Sequence, residues 1–193
     1  YKRIPDQRPT FYYTVERDFP GQRNQQLKDH RGVSISSCNS TFYSSLLKQG
    51  CGMLSDGRTV NVIREEKFAV LPKGCLGITK SGYHVIPFHT LAINPKEMLY
   101  GEVYYIPGTR GLKLPGGEIH DGFWFAHDTG SAFRESSNRI DMYVKNASGR
   151  KMFEQQKLVS HKPLRVYHVD ARTRDKVYRK YKKFLINANK KKV

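Results

Sequence analysis

Residues 120–144 read HDGFWFAHDTGSAFRESSNRIDMYV, a segment that sets Asp121, Asp128 and Asp141 among aromatic, glycine and β-branched neighbours. GFWFAH (122–127) is apolar and aromatic enough for a buried strand, and it delivers Asp128 at its end. DTG (128–130) then reads as a tight turn, with Gly130 expected to supply a backbone conformation that other residues resist. IDMYV (140–144) reads as a second strand, in which Asp141 is flanked by Ile140 and Met142. A carboxylate inside an apolar strand must be hydrogen-bonded, ion-paired, or raised in pKa. A raised pKa suits a general acid, so the placement points to chemistry. The structural alternative is that Asp128 caps a turn and Asp141 accepts a backbone hydrogen bond.

Further short strands are expected at 11–15 (FYYTV), 32–36 (GVSIS), 59–63 (TVNVI), 68–72 (FAVLP), 83–88 (YHVIPF) and 103–107 (VYYIP). The intervening DFPGQ, SDGR, LPKG, KSG, INPK and LPGG clusters are turn formers. So many closely spaced strands predict a mainly β chain folded as a small barrel. One helix is expected at 40–49, with Phe42, Leu46 and Leu47 at helical spacing and Gly50 to stop it. A second is expected in TRDKVYRKYKKFLINANKKK, with Val177, Tyr181, Phe184 and Leu185 on one face and bases elsewhere. That helix is either a packed element with a solvated basic face or a polyanion-binding arm.

The chain of 193 residues suits one domain, 1–193, with 38% hydrophobic and 12% aromatic residues giving a globular composition. Its net charge is +17, and residues 163–193 alone carry 11 Lys and Arg against 2 acids. Such a surface attracts anionic polymers or lipid, although charge by itself does not choose among them. Helix-turn-helix, zinc-finger and RNA-binding aromatic signatures are lacking, so specific nucleic-acid recognition is not expected. Apolar runs are too short to span a bilayer. Because the sequence opens on Tyr1, a removed secretory leader is one expectation and a trimmed chain the other. Cys38, Cys51 and Cys75 form no chelating pair, so no metal is expected. They favour one disulfide in an oxidising compartment, with three buried small hydrophobes as the alternative.

DTGSAF followed by NRIDMYV resembles the DTGGAIKGNRIDLY signature of the three-aspartate domain, the catalytic barrel of the membrane-bound lytic transglycosylase A (MltA) type and of related muralytic proteins. HTLAINPKEMLYGEVYYIPG resembles the family segment T-x-A-V-D-P leading to I-P-x-G-T. QGCGMLSDGRTVNV, FYYTVERDFPG and LPGGEIHDGFWFAHDTG resemble stretches of longer secreted members, so the likeness runs in order over residues 10–145. It implies a double-psi β-barrel at 10–145, with 146–193 as a basic, partly helical extension. It also implies a secreted or periplasmic monomer without cofactor that cuts the β-1,4 bond between N-acetylmuramic acid and N-acetylglucosamine. In that chemistry the muramyl 6-hydroxyl attacks its own anomeric carbon and leaves a 1,6-anhydro end. By motif position Asp141 is the general acid and base, and Asp128 the aspartate that sets its protonation state.

Three departures accompany the resemblance. The family's A-V-D-P aspartate is Asn94 here, a turn glycine is Ser131, and FRESSN lengthens the loop between the retained aspartates by two residues, bringing in Glu135. Asp121 is a candidate to compensate for Asn94. Thr129, Gly130, Tyr143, Asp121, Asn94 and Trp124 are the expected glycan contacts. By strand alternation one of Trp124 and Phe125 should face the core, and His120 and His127 read as structural histidines. Peptidoglycan and other anionic wall polymers are the expected partners. The competing functions are a non-catalytic peptidoglycan-binding module on the same barrel and a hydrolytic muramidase.

Overall fold

The computed structural model describes residues 1–16, 20–64, 66–130, 133 and 138–189. They form two compact units, Tyr1–Tyr12 together with Thr79–Val193, and Tyr13–Ile78. In chain order, β1 (Lys2–Tyr12) belongs to the first unit. The second unit follows with β2 (Gln25–Lys28), β3 (Ser34–Cys38), α1 (Ser40–Gln49), β4 (Cys51–Met53), β5 (Thr59–Arg64) and β6 (Lys67–Val70). The first unit resumes with β7 (Thr90–Ile93), β8 (Val103–Tyr105), β9 (Phe123–Asp128), β10 (Arg139–Tyr143), α2 (Ala147–Gln155), β11 (Leu164–His168) and α3 (Ala171–Lys180).

The second unit is a five-stranded sheet, ordered β3-β2-β6-β5-β4, over a core that includes Leu27, Phe42, Leu46, Val60 and Phe68. Helix α1 starts where the Asn39 side chain accepts the Phe42 N–H at 2.8 Å. It stops at Gly50, whose φ of 87° lets its N–H reach the Leu46 carbonyl. The expected Leu47 contact is absent, since Leu47 is exposed. The disulfide expectation is corrected: Cys38, Cys51 and Cys75 are all buried and are not disulfide-bonded. Cys38 and Cys51 lie on the two outermost strands of the sheet, and each fills core space as a small apolar side chain.

The first unit closes into a six-stranded barrel, ordered β1-β10-β7-β9-β8-β11, with β11 returning to β1. Pairs β1–β10 and β7–β9 are parallel, and the other four pairs are antiparallel. The fold is therefore mainly β with a closed barrel and three short helices. The barrel extends past the 10–145 bounds read from sequence: β1 begins at Lys2, and β11 comes from the segment assigned to the extension. Residues 83–88 were expected as a strand but form a turn-rich link. Ile86 N–H is taken by the Thr90 hydroxyl, Ile86 O accepts from His89 and Thr90, and Pro87 has no N–H to give a ladder.

Helix α2 is capped by Asn146, which accepts the Gly149 N–H at 2.9 Å. Gly149 is required there, because a Cβ would stand 1.9 Å from the Val144 carbonyl oxygen. Helix α3, capped by Asp170, lays Val177 on a cluster with Ile86, Val103, Phe125 and Val169, and Tyr181 just beyond its end joins them. It ends at Lys180, well short of the expected run, and Phe184 faces solvent. Among the described residues, no helix is long and apolar enough to cross a membrane.

Candidate active site

Strand register brings the two motif aspartates together. Asp141 on β10 pairs with Ala92 on β7, and Ala92 pairs on its other side with Asp128 on β9. Thr10 on β1 pairs with Asp141, so one row runs Thr10, Asp141, Ala92, Asp128 across four strands. Alanine between two acids leaves only a methyl group to separate them.

The acids differ in what surrounds them. Asp128 accepts three hydrogen bonds, from Lys80 N–H at 2.9 Å, Thr129 N–H at 3.0 Å and the Tyr12 hydroxyl at 2.9 Å. Burial pushes its pKa up, and those donors pull it back. Among the described residues the buried Oδ1 of Asp141 has no hydrogen-bond partner, and its Oδ2 lies 3.8 Å from the Arg139 guanidinium. Its side chain is 19% exposed. Burial, joined by the Asp128 charge, pushes its pKa up to about 6, while the neighbouring Thr10 hydroxyl and the Arg139 charge oppose the rise. Asp128 thus has the donors to hold a charge, and Asp141 holds a proton into the mildly acidic range.

Sequence reasoning did not single out Tyr12, Thr10, Arg139 or Lys80. Tyr12 pairs with Tyr143 across β1 and β10, and their rings lie 5.2 Å apart. Arg139 Nε donates to the Thr10 hydroxyl at 3.0 Å and stands 5.6 Å over the Phe133 ring. Arg139 lies two residues before Asp141 in its strand, which alternation could have flagged. Tyr12 and Lys80 arrive from distant segments and had no local signal.

Several expected contacts are placed elsewhere. Trp124 is 0% exposed, its indole N–H donating to the Thr109 hydroxyl at 3.0 Å, so no sugar reaches it. Phe125 is equally buried, because β9 is covered on both faces. Tyr143 shares the Asp141 face but is fully buried, and it supports Tyr12 instead of meeting solvent. Asp121 does not compensate for Asn94. It sits before the opposite end of β9, seven residues from Asp128 and roughly 20 Å away along the strand. There it accepts from Lys180 Nζ at 2.7 Å and the Tyr181 hydroxyl at 2.9 Å. Gly130 lies outside the left-handed region and a Cβ would meet nothing among the described residues, so its backbone conformation does not require glycine. Ser131 and Glu135 lie outside the described residues.

Thr129 and Asn94 stay near the acids. Thr129 follows Asp128 and donates its hydroxyl to the Ile93 carbonyl at 2.8 Å. Asn94 follows β7 two residues after Ala92, is 1% exposed, and accepts the Lys96 N–H at 3.1 Å. That bond fixes its amide orientation and leaves Nδ2 buried without a partner. His120 and His127 are structural, as expected. His120 Nε2 meets the Phe88 carbonyl at 2.6 Å and its Nδ1 accepts from Gly122, while His127 Nε2 meets the Tyr178 hydroxyl at 2.7 Å. Burial lowers their pKa values to about 3 and about 4, so both are neutral.

His89, His120 and Asp121 offer ligand atoms within 4.8 Å of one another. Their lone pairs are engaged without a cation, His120 Nδ1 by Gly122 N–H and Asp121 by Lys180, Tyr181 and Phe123. His89 bonds the Phe123 carbonyl and the Tyr181 hydroxyl. These groups hold α3 to the barrel.

No family model matches the sequence, and no curated protein does. Solved structures do. A membrane-bound lytic murein transglycosylase from Agrobacterium tumefaciens matches with a TM-score of 0.59 at 10% identity, over 90% of this chain and 75% of that one. E. coli MltA with bound chitohexaose matches with a TM-score of 0.56 at 12% identity, over 87% of this chain and 71% of that one. With the barrel and its paired aspartates, these matches make the chain similar in fold to the MltA-type lytic transglycosylases.

Proposed function

We propose that this protein is a peptidoglycan lytic transglycosylase of the cell envelope, acting as a monomer without cofactor, with Asp141 as its acid and base. The observation that carries the proposal is the contrast between the paired carboxyls: Asp128 is held by three donors, and half-buried Asp141 has one buried oxygen with no partner among the described residues. Protonated Asp141 delivers its proton to the glycosidic oxygen as the bond to the anomeric carbon breaks. The resulting carboxylate then takes the proton of the muramyl 6-hydroxyl as that oxygen bonds the same carbon. No water is consumed, and Asp141 ends protonated for the next turnover. Asp128 keeps its charge on Lys80, Thr129 and Tyr12 and so favours the proton on Asp141. Thr129 and Gly130, directly after Asp128 and open to solvent, are the glycan contacts that remain, and Asn94, at 1% exposure, is closed to a sugar as Trp124 and Tyr143 are. The net charge of +17 favours association with murein and its anionic polymers.

The test is incubation with purified peptidoglycan and mass spectrometry of the soluble products, beside an Asp141→Asn variant. Muropeptides with 1,6-anhydro ends from the parent and none from the variant support the proposal. Reducing ends would make the protein a hydrolytic muramidase. Binding without release would make it a peptidoglycan-binding module whose chemistry was lost with the aspartate at position 94.

A further inference from the structure

The strongest surface feature outside the barrel site is the outer side of α3 and the turn after it. Arg172, Lys176 and Arg179 recur at i, i+4 and i+7, so they form one exposed stripe along the helix. Lys182 and Lys183 continue the charge in the following turn. The other two bases of this stretch are engaged, Arg174 with Glu102 and Asp175, and Lys180 with Asp121. The stripe residues have no ion pair among the described residues, and Asp175 on the same helix is taken up by Arg174.

Beside these bases stand two large apolar side chains held in the open, Phe184 at 58% exposure and Ile186 at 51%. Their exposure is built into the backbone. Phe184 N–H bonds the Tyr181 carbonyl, Ile186 O accepts from His84, and Ala188 N–H bonds Gly82 O. The neighbouring Leu185 and Tyr181 pack inward, so the chain turns Phe184 and Ile186 out while anchoring itself on the barrel. Bases alone suit any polyanion, but bases flanking fixed apolar side chains suit a surface that is anionic outside and hydrocarbon beneath.

We propose that α3 and residues 182–186 form a docking surface for an anionic phospholipid bilayer, with the stripe on the headgroups and Phe184 and Ile186 in the interface. It does not depend on Asp141 or on glycan cleavage, so it stands or falls separately from the enzymatic proposal. The test is sedimentation of the full chain with vesicles of phosphatidylglycerol and phosphatidylcholine, and with phosphatidylcholine alone. Binding to the anionic vesicles only is expected. Lys176→Glu with Arg179→Glu weakens it by about tenfold or more, and Phe184→Ser with Ile186→Ser weakens it about tenfold. Lys176→Arg with Arg179→Lys retains it, and unchanged melting temperatures show that the variants fold. Equal binding to neutral vesicles overturns the proposal. So does anionic binding untouched by the Phe184 and Ile186 changes and fully competed by soluble polyphosphate, which would make the stripe a site for dissolved polyanions.

Discussion

Asp128 and Asp141 face each other across Ala92, one on each strand that flanks β7, and the donors around them are unequal. Asp128 has three, whereas one Asp141 oxygen has none among the described residues. A charge shared between two such groups settles on the better solvated one, and the proton on the other.

The first consequence is a pH-dependent cost to stability. Asp141 has a folded pKa of about 6, raised from the ordinary 3.8, so the folded state holds this proton more tightly than the unfolded one. Stability therefore falls as pH rises from about 4 to 6, by roughly 2–3 kcal/mol at most. Asp141→Asn removes that slope and abolishes turnover, by about a hundredfold or more. Thermal unfolding of parent and variant across this range checks the first effect, and product release the second.

Removing the Tyr12 hydroxyl should move the proton. Tyr12→Phe deletes one of the three Asp128 donors and raises the Asp128 pKa. More proton on Asp128 lessens its repulsion of Asp141, whose own pKa then drops. The alkaline limb of the activity profile shifts to lower pH and the rate at neutral pH falls by about tenfold, because less of Asp141 then holds the proton. Asp128→Asn should move the limb in the same direction, whereas a purely structural Tyr12 would lower the rate at every pH alike.

Trp124 separates the core role from a sugar contact. The fully buried indole stacks on His120 and bonds Thr109, so Trp124→Ala should cost about 3–5 kcal/mol of stability. Trp124→Phe keeps most of the volume and should leave glycan affinity unchanged. Calorimetry and a binding isotherm on isolated glycan strands measure the two effects.

Asn94→Asp would restore the carboxylate that the family motif carries. One oxygen would keep the Lys96 N–H, but the other would occupy the buried position where Nδ2 now has no partner. The expected cost is about 1–3 kcal/mol at neutral pH, shrinking as the pH falls and the group protonates. A third acid on the same face of β7 should also raise the Asp141 pKa and carry the alkaline limb of activity upward. Denaturant titrations at pH 5 and 7, with a pH–rate profile, check both.

Local chemistry made much of this protein readable. The aromatic run before Asp128 and the apolar flanks of Asp141 announced β9 and β10, because strand propensity and burial act on neighbours in sequence. Gly50 marked the end of α1 for the same reason, whereas its Asn39 cap was not read from sequence. Residues 83–88 misled because their β-branched and aromatic composition was outweighed by Pro87 and by the side-chain bond from Thr90. The polar β11, LRVYH, showed too little alternation to stand out, and its strand character comes from its partners β1 and β8. The cysteines could not be resolved by spacing, since only the sheet order shows which strands separate them.

The sequence by itself determined that the chain is mainly β, that two aspartates sit at strand ends or inside strands, and that the basic excess gathers near the C-terminus. Those properties rest on residue type and on contacts a few positions apart. Tertiary structure alone decided that Asp141 and Asp128 share one row through Ala92, that Tyr12 crosses from β1 to hold Asp128, and that Trp124, Tyr143 and Asp121 are withdrawn from the site. Register across a closed barrel joins residues more than a hundred positions apart, and the electrostatic unlikeness of two identical side chains arises only from the donors and burial found there.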